Sequence, residues 1–377
     1  MHYFTPAFDW NIPTLIFLIF AGAVFFQLLM ILLFFSRVAF YKTKPVTANP
    51  EGVSVIIAAR NDADNLFENL PFILEQNHPE FEVIVVNHQS QDDTFYILNA
   101  LQRQYPHLRV INVEKNQHLK YGKKLPLTLG IKGAKYEQLI FTDADCRPAS
   151  QNWLSKMSAY MQGDKEIVLG YGPLKERKGF LNALIRFDTT WIAMNYFAFA
   201  KAGVPYMGVG RNMAYKKATF DRVSGFKSHY ALSSGDDDLF IQEAANRKNT
   251  AIVIDPETFM ESPATSSWEG LVRQKSRHFT TSPHYKVIKK LLLGIYPLTL
   301  LIVLGTFVTL MFDGDFRWLS LAIFTFLLMI KWIIMGMAFA KLKATKFIKW
   351  LPLLDIFYAF WTPALYYSVD KSDNNKW

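Results

Sequence analysis

The chain has 377 residues, of which 51% are hydrophobic and 15% aromatic, and its formal net charge is +9 at pH 7. This composition excludes an intrinsically disordered protein, because disordered chains are poor in aromatic residues and bury too little apolar surface to fold. A single cysteine, Cys146, excludes a disulfide framework and any cysteine-rich zinc site.

An uncharged apolar segment at residues 12–35 predicts a transmembrane helix. About 20 apolar residues are enough to cross the hydrocarbon core of a bilayer as a helix. A cleaved signal peptide is the alternative, but the apolar run is too long, no Lys or Arg precedes it, and no small-residue cleavage site follows it. We therefore expect a membrane anchor, with residues 1–11 forming an external N-terminus.

The segment from residue 50 to residue 290 predicts an α/β domain. Short apolar runs rich in β-branched residues predict strands, and the segments between them are compatible with helices. Strands that alternate with helices at this spacing predict a mostly parallel sheet, with ligands bound at the carboxyl ends of the strands. The predicted strands are residues 53–59, 81–86, 109–113 and 138–142.

Polar clusters follow three of these strands, at residues 60–64, 87–93 and 143–145. In the last cluster, Asp143 and Asp145 are separated by a single residue. Two close carboxylates repel each other, and Mn²⁺ or Mg²⁺ relieves this repulsion while it completes its coordination shell with substrate phosphates. For this triplet alone, a solvated turn at a strand end is the alternative.

Other charged segments are suited to an anionic ligand. Lys123 would meet a diphosphate as a point charge, with a solvated loop as the alternative. The three carboxylates of SGDDD, residues 236–238, either begin a solvated helix or supply a general base whose pKa is raised by crowding. Gln274 and Arg277 lie in the basic segment RQKSRH, which is also typical of a contact with lipid headgroups.

Residues 180–200 are apolar enough to resemble a membrane span, but Arg186 and Asp188 lie near their centre. A crossing here would place the two halves of the α/β domain on opposite sides of the membrane. We therefore predict a buried or interfacial helix.

Three further apolar segments follow the α/β domain, at residues 291–312, 318–340 and 347–368. The first two predict transmembrane helices, and the last, which contains charges and two prolines, is the weakest candidate for a third. Lys331 and Asp355 would be costly against lipid, so we expect them to face other helices, water or headgroups.

The distribution of lysine and arginine predicts the orientation in the membrane. Basic residues follow the first span at Arg37, Lys42 and Lys44, and the loop at residues 341–349 contains four lysines and no acid. By the positive-inside rule the α/β domain is cytoplasmic, attached to the cell (inner) membrane by several spans.

Taken in this order, the motifs resemble glycosyltransferase family 2, the inverting nucleotide-sugar transferases of GT-A fold, in their membrane-anchored bacterial form. The resemblance covers residues 50–290. VSVIIAARND is similar to the opening strand and nucleotide-binding turn, NHQSQDDT to the D-D-x-S-x-D-x-T segment, TDAD to the D-x-D motif, SGDDD to the E-D acceptor-site motif, and QKSRH to Q-x-x-R-W. It implies a GT-A (Rossmann-like) cytosolic domain flanked by transmembrane helices.

The resemblance also implies roles for single residues. Asp143 would lie near the ribose and the metal, and Asp145 would bind the Mn²⁺ or Mg²⁺ that bridges the diphosphate. In the family the catalytic base lies a fixed distance before the turn that ends its helix. With that turn placed at Asn249, the base would be Asp238, with Asp237 in the preceding acidic position. Contacts with the nucleotide-sugar would come from Ala59, Arg60, Asp62, His88, Ser90, Lys123, Asp143, Gln274 and Arg277.

Two departures from the family pattern qualify these roles. Asn87 and His88 replace the usual pair of aspartates, which leaves the base of the nucleotide open. His278 replaces the tryptophan that processive polysaccharide synthases favour, which indicates a non-processive enzyme.

These features predict an inverting, metal-dependent transfer of sugar from a nucleotide-sugar donor to a hydroxyl of a lipid-linked or cell-envelope glycan. A catalytically silent membrane-bound nucleotide-binding module and nucleotidyl transfer to a membrane lipid are the alternatives. Basic residues gather at membrane flanks, where they contact membrane lipids, and at phosphate-facing segments. Nucleic acid is therefore not an expected partner, because no basic stripe is interleaved with aromatic residues.

Overall fold

The computed structural model describes residues 11–43, 51–115 and 122–369. The predicted external N-terminus, apart from Asn11, and the flanking Lys44 lie outside the described residues. The strands are β1 (Val53–Ala59), β2 (Phe81–His88), β3 (Leu108–Val113), β4 (Gln138–Asp143), β5 (Arg147–Pro148), β6 (Ile167–Leu169), β7 (Met213–Lys216), β8 (Thr250–Ile252) and β9 (Met260–Glu261).

The helices alternate with the first strands and then form the membrane-proximal part of the molecule. A π-helical turn at Ile31–Phe35 joins the first two helices. Within the described residues the α-helices are α1 (Ile12–Met30), α2 (Ser36–Ala39), α3 (Ala63–Leu74), α4 (Thr94–Gln104), α5 (Lys124–Gly133), α6 (Trp153–Ala159), α7 (Phe180–Ala202), α8 (Lys217–Arg222), α9 (Asp238–Ala244), α10 (Trp268–Phe279), α11 (Val287–Leu310), α12 (Arg317–Lys341) and α13 (Leu351–Ser368).

A seven-stranded sheet with the order β3-β2-β1-β4-β7-β6-β8 forms the centre of the domain. The strands β1, β2, β3 and β4 are mutually parallel, and β7 runs antiparallel to β4 and β6. Every residue of β1 is buried, as expected of an apolar, β-branched strand covered by helices on both faces. The predicted mostly parallel α/β sheet is therefore confirmed.

The register of the parallel strands brings the three polar clusters to one edge of the sheet. Ala59, at the end of β1, pairs with Asn87 on β2, and Ala58 pairs with Asp143 on β4. Because the strands are parallel, the segments that leave their carboxyl ends lie side by side. The candidate site therefore lies at this edge.

Three helical segments in the described part of the chain are long and apolar enough to cross a membrane: Ile12–Ala39, Val287–Leu310 and Arg317–Lys341. They match one predicted N-terminal span and two predicted C-terminal spans. The last predicted segment, residues 347–368, is divided between a 3-10 turn at Thr345–Trp350 and α13. A crossing by α13 stays a prediction.

The second membrane helix begins earlier than its apolar run. The sequence predicts a span from residue 291, whereas α11 begins at Val287 and includes two lysines. Lys289 is buried, and its ammonium group donates a hydrogen bond to the carbonyl oxygen of Pro205 at 2.5 Å. A hydrogen bond to the α/β domain thus allows this lysine to be buried at the start of α11.

The two charges inside the apolar helices face each other rather than lipid. Lys331 on α12 and Asp355 on α13 form an ion pair, and both side chains are buried. The hydroxyl of Tyr296 on α11 donates to Asp355 Oδ1 at 2.9 Å. This agrees with the expectation that such charges face other helices.

Helix α7 lies between the sheet and the membrane helices, as a buried helix rather than a span. Its Phe199 ring lies 4.7 Å from that of Phe34 in the first membrane segment, and its Phe187 ring lies 5.7 Å from that of Phe339 on α12. The prediction of a buried or interfacial helix is confirmed.

Candidate active site

The turns that follow β1 and β2 are held together by hydrogen bonds. The backbone N–H of Asn61 donates to Ser90 Oγ at 2.9 Å, and that of Ala63 donates to Asp92 Oδ2 at 3.1 Å. Asp62 Oδ2 accepts from the backbone N–H of Arg60 at 3.0 Å, which closes the first turn. The structure thus brings together Arg60, Asp62 and Ser90, which the sequence assigns to the nucleotide, beside Ala59 at the end of β1.

His88 lies at the end of β2 with no exposed surface. Burial and the positive charge of Arg60 lower the pKa of His88, so its imidazole is neutral at physiological pH. The neighbouring Asn87 donates from Nδ2 to Asn112 Oδ1 at 3.0 Å. A nucleotide would therefore reach the His88 side chain only if the turn opened, and its assigned contact stays a prediction.

Asp143, Asp145 and Cys146 form the one cluster of possible metal ligands found within the described residues. Their ligand atoms all lie within 4.8 Å of one another. Lys123 Nζ contacts Asp143 Oδ1 at 2.6 Å, and the Cys146 thiol donates to Asp145 Oδ1 at 3.3 Å. The strand end that the sequence singled out is thus a compact acidic group with a lysine beside it.

The electrostatics of this cluster fit a hard divalent cation. Burial favours the neutral form of Asp143, but the adjacent Lys123 ammonium, together with the charges of Arg211 and Arg277, outweighs burial and lowers the pKa of that carboxyl. Burial, and then the negative charge of Asp143, raise the pKa of Asp145. A divalent cation would relieve this repulsion through the carboxylate oxygens. The Cys146 thiol suits it less, because burial raises the pKa of the thiol and thiolates prefer softer metals.

The acidic segment SGDDD forms the start of α9, and its carboxylates have different surroundings. Asp237 accepts hydrogen bonds from the backbone N–H of Gly210 at 3.1 Å and from that of Asp238 at 2.7 Å. Burial, followed by the charges of Asp236 and Asp238, raises the pKa of Asp237 to about 7. Asp237 is therefore partly protonated near neutral pH.

Asp238 is buried and points toward the segment that joins α10 to α11. Its Oδ2 accepts hydrogen bonds from the hydroxyls of Thr281 at 2.5 Å and Tyr285 at 2.7 Å. Burial raises the pKa of Asp238, although these two donors act in the opposite direction. Neither hydroxyl was predicted from sequence, because the contacts join residues that lie far apart in the chain.

Two further residues lie at the site: Asp236, which the sequence analysis named only as a member of the acidic segment SGDDD, and Arg211, which it did not assign. The charge of Asp236 acts on Lys123, which in turn pairs with Asp143. The guanidinium of Arg211 donates to the carbonyl oxygen of Gly172 at 2.6 Å, and its charge acts on Asp143 and Asp145. The segment GVGRN, with glycines ahead of an arginine, was the only local signal for Arg211.

Helix α10 presents two stripes. Leu271 and Lys275, four residues apart, are its buried residues, whereas Gln274, Arg277 and His278 follow the spacing of a neighbouring face. His278 is exposed, and the surrounding protein and the positive charge of Arg277 lower its pKa. The positive charge of Arg277 also acts on Lys123 and Asp143, so this face belongs to the site.

The fold, with acidic and basic side chains gathered at the carboxyl edge of the sheet, is that of a glycosyltransferase. A family model described as glycosyl transferase family 2 matches residues 54–223, and a second, described as glycosyl transferase family group 2, matches residues 139–361. The second match alone covers more than half of the chain. The chain therefore belongs to glycosyltransferase family 2.

Two curated relatives are similar over shorter segments. Poly-beta-1,6-N-acetyl-D-glucosamine synthase of Staphylococcus epidermidis is 32% identical over 95 residues, which are 25% of this chain and 22% of the synthase. Poly(ribitol-phosphate) beta-glucosyltransferase of Bacillus spizizenii is 29% identical over 120 residues, or 31% of this chain and 18% of the relative. The matched segments span about a fifth of the length of these relatives.

One solved structure resembles the chain over nearly its whole length. It is a mannosyltransferase from Pyrobaculum calidifontis in complex with GDP-Man and Mn²⁺. The similarity covers 93% of this chain and 99% of the mannosyltransferase, with a TM-score of 0.55 and 18% sequence identity. At this identity the likeness establishes the fold, which is GT-A.

Proposed function

We propose that the chain is an inverting, non-processive glycosyltransferase that moves a sugar from a nucleoside-diphosphate sugar to a hydroxyl of a lipid-linked or cell-envelope glycan. One observation carries the proposal: an acidic pair, a lysine, an acidic helix start and the α10 face converge at the carboxyl edge of the sheet. The two relatives named above, a poly-beta-1,6-N-acetyl-D-glucosamine synthase and a poly(ribitol-phosphate) beta-glucosyltransferase, support a cell-envelope acceptor.

The acidic pair is suited to the diphosphate end of the donor. Asp143 and Asp145 would hold Mn²⁺ or Mg²⁺, which, when bound, offsets the negative charge of the departing nucleoside diphosphate. Lys123 lies against Asp143 and adds a positive charge at the same place. Gln274 and Arg277 would hold the diphosphate or the acceptor from the α10 side, while Arg60, Asp62 and Ser90 line the turn expected to hold the nucleoside.

The general base belongs to the acidic start of α9. Asp238, with Asp237 before it, is the base predicted from sequence, and a raised pKa is what a base working near neutral pH needs. Removal of the acceptor proton from the face opposite the leaving group gives a single displacement with inversion. Asp236 is the competing candidate, because Asp238 already accepts two hydroxyl donors whereas the charge of Asp236 acts on Lys123.

The test uses the full chain in nanodiscs, incubated with UDP-GlcNAc, UDP-glucose or GDP-mannose in the presence of Mn²⁺, Mg²⁺ or EDTA. We expect at least one donor to release its nucleoside diphosphate in a metal-dependent reaction. Because a metal contributes several kcal/mol to the stabilisation of developing charge, Asp145→Asn should slow release at least about a hundredfold. The matched control is Asp164→Asn, which changes an exposed aspartate.

The outcomes separate the candidate functions. Full activity of Asp145→Asn would contradict the proposal, and release of pyrophosphate would indicate nucleotidyl transfer. The replacement of the usual aspartate pair by Asn87 and His88 favours one second candidate, a module that binds a nucleotide without turnover. Nucleotide binding without release of product from any donor would support that module.

A further inference from the structure

We propose that Asp188, in the middle of α7, is a positioning residue that holds helix α10 in its working place through Lys275. This inference rests on the proposed function, in which Gln274 and Arg277 on α10 contact the diphosphate or the acceptor. Asp188 lies outside that contact set and acts on it through the neighbouring, buried stripe of α10. A charge near the centre of an apolar helix needs a specific partner, and the structure provides two.

Both carboxylate oxygens of Asp188 are engaged by side chains of other helices. Lys275 Nζ on α10 lies 2.5 Å from Asp188 Oδ2, and the Tyr358 hydroxyl on α13 donates to Asp188 Oδ1 at 2.7 Å. The side chains of Lys275 and Asp188 are only 11% and 10% exposed. One buried carboxylate therefore joins three helices.

The apolar contacts around the ion pair follow the same helix faces. Ile185, one turn before Asp188, and Leu271, one turn before Lys275, belong to one small buried cluster. Trp361 on α13 packs against that cluster. Each helix thus contributes one apolar contact and one polar contact to the same junction.

Helix α13 lies along the length of α10. The rings of Trp268 and Trp361 are 6.4 Å apart near the start of α10, and those of Phe279 and Tyr366 are 5.2 Å apart at its end. Helix α10 is therefore located by α7 on one side and by α13 on another, rather than by the central sheet.

This arrangement has a specific consequence for the reaction. If Asp188 loses its charge, Lys275 becomes a buried cation without its counter-charge and must move toward water. Lys275 lies next to Gln274 in the chain and two residues from Arg277, so its movement displaces both. A misplacement of about 1 Å in a group that positions the substrate can slow a reaction about a hundredfold.

The chain offers a matched control among its C-terminal helices. Asp355 on α13 also binds one lysine, Lys331, and one tyrosine hydroxyl, that of Tyr296, in a buried place. Asp355→Asn also removes a buried carboxylate that binds a lysine and a tyrosine. Asp355 lies on α13, the helix that carries the tyrosine bound to Asp188. It differs in having no contact with α10.

The experiment compares Asp188→Asn, Lys275→Met, the double variant and Asp355→Asn, each as the full chain in nanodiscs. Rates and KM are measured with whichever of UDP-GlcNAc, UDP-glucose and GDP-mannose the wild type turns over fastest. Amide hydrogen exchange is followed in residues 268–279 and, for comparison, in residues 53–59 of the sheet. We expect Asp188→Asn to lower kcat about 10- to 100-fold and to speed exchange in residues 268–279 but not in residues 53–59.

The double variant also removes the Lys275 ammonium that Asp188→Asn leaves without a counter-charge. It should therefore regain part of the lost rate and be faster than Asp188→Asn. Asp355→Asn should keep wild-type exchange in residues 268–279. Unchanged kcat and exchange in Asp188→Asn, or equal losses in Asp355→Asn, would overturn the inference. If the wild type turns over no donor, the proposed function fails, and the exchange measurement still decides whether Asp188 holds α10.

Discussion

Asp237 and Asp238 are adjacent in the chain, yet their carboxylates face different partners, and this difference determines what each can do. Asp237 accepts from two backbone N–H groups, as the cap of a short helix does. Asp238 accepts from two hydroxyls of the segment before α11. In both carboxyls burial raises the pKa and hydrogen bonds lower it. The pH dependence of activity therefore tests which of the two is the proposed general base.

The first prediction concerns the identity of the base. The hydroxyls of Thr281 and Tyr285 favour the ionised form of Asp238, so Thr281→Val or Tyr285→Phe should raise its pKa further. If Asp238 is the base, the acid limb of the kcat profile moves to higher pH in both variants. A profile that keeps its acid limb in both variants, together with loss of activity in Asp236→Asn, would transfer the role to Asp236.

The second prediction concerns stability and Asp237. Its pKa is raised from 3.8 to about 7 in the folded protein, so the folded state binds this proton more tightly than the unfolded chain. The associated stability is complete below pH 3.8 and is lost as pH rises through about 7. Because Asn does not ionise, the melting temperature of Asp237→Asn relative to wild type should rise between pH 5 and pH 8, by about 1 °C for each kcal/mol.

Thermal unfolding of the full chain in detergent measures this difference. Asp164→Asn, which changes an exposed carboxylate, serves as the control and should show no such trend. A constant difference between Asp237→Asn and wild type across this pH range would contradict the raised pKa.

At the scale of elements, the close packing of α5 on β1 sets the position of Lys123 at the start of that helix. A Cβ on Gly130 would lie 2.6 Å from Ile56 Cγ2, whereas a Cβ on Gly133 would lie 3.3 Å from the end of the flexible Ile111 side chain. The two glycines of one helix therefore differ in what they tolerate, and only the first is required by the packing.

The third prediction follows from this difference. Gly130→Ala should lower stability by about 1–3 kcal/mol, because α5 must move away from β1 and overpacking outweighs the gain in helix propensity. Gly133→Ala, the matched control, should be neutral within about 1 kcal/mol. Denaturant or thermal unfolding compares the two variants, and equal stability would show that α5 adjusts without cost.

The strands show how far local patterns predict this fold. The β-branched runs of β1, β2, β3 and β4 were predicted to within two residues. The reason for β1, β2 and β4 is that buried strands have a nearly continuous apolar sequence, whereas β3, a partly exposed edge strand, was recognised by its β-branched residues. The strands β6, β7 and β8 were not predicted, since they contain only three or four residues each. They pair with β4 and with one another through contacts between segments distant in the chain, and such contacts leave no local pattern in the sequence.

The candidate site divides in the same way. The pair Asp143 and Asp145 was predicted because both carboxylates lie in one strand end, and Lys123 because its charge suits a diphosphate. Arg211, Thr281 and Tyr285 were missed because their contacts join segments distant in the chain. The ion pair of Lys275 with Asp188 also depends on how α7 and α10 pack, which the sequence pattern does not contain.

At the scale of the whole molecule, the membrane helices and the catalytic domain form one packed body. Gln27 in the first membrane segment donates to the Tyr296 carbonyl oxygen at 2.6 Å and to Thr299 Oγ1 at 2.7 Å on α11. Helix α7 contacts both the first membrane segment and α12. The α/β domain is therefore packed directly against the candidate membrane helices.

The last prediction is the orientation of this body. The lysines of residues 341–349 predict a cytoplasmic loop, whereas the loop between α11 and α12 contains Asp313 and Asp315 and is expected outside. The only natural cysteine is buried, so single introduced cysteines can be labelled selectively. In intact cells, a membrane-impermeant maleimide should label Gly314→Cys at once and Lys349→Cys only after permeabilisation.

Helix α13 is tested in the same experiment by Ser368→Cys, at its final residue. If α13 crosses, Ser368→Cys should be labelled from outside like Gly314→Cys, because four crossings return the chain to the side on which it began. Labelling only after permeabilisation would make α13 an interfacial helix, with the Lys331–Asp355 pair holding it against the bundle. Labelling of Lys349→Cys in intact cells would reverse the orientation and separate the site from cytoplasmic nucleotide-sugars.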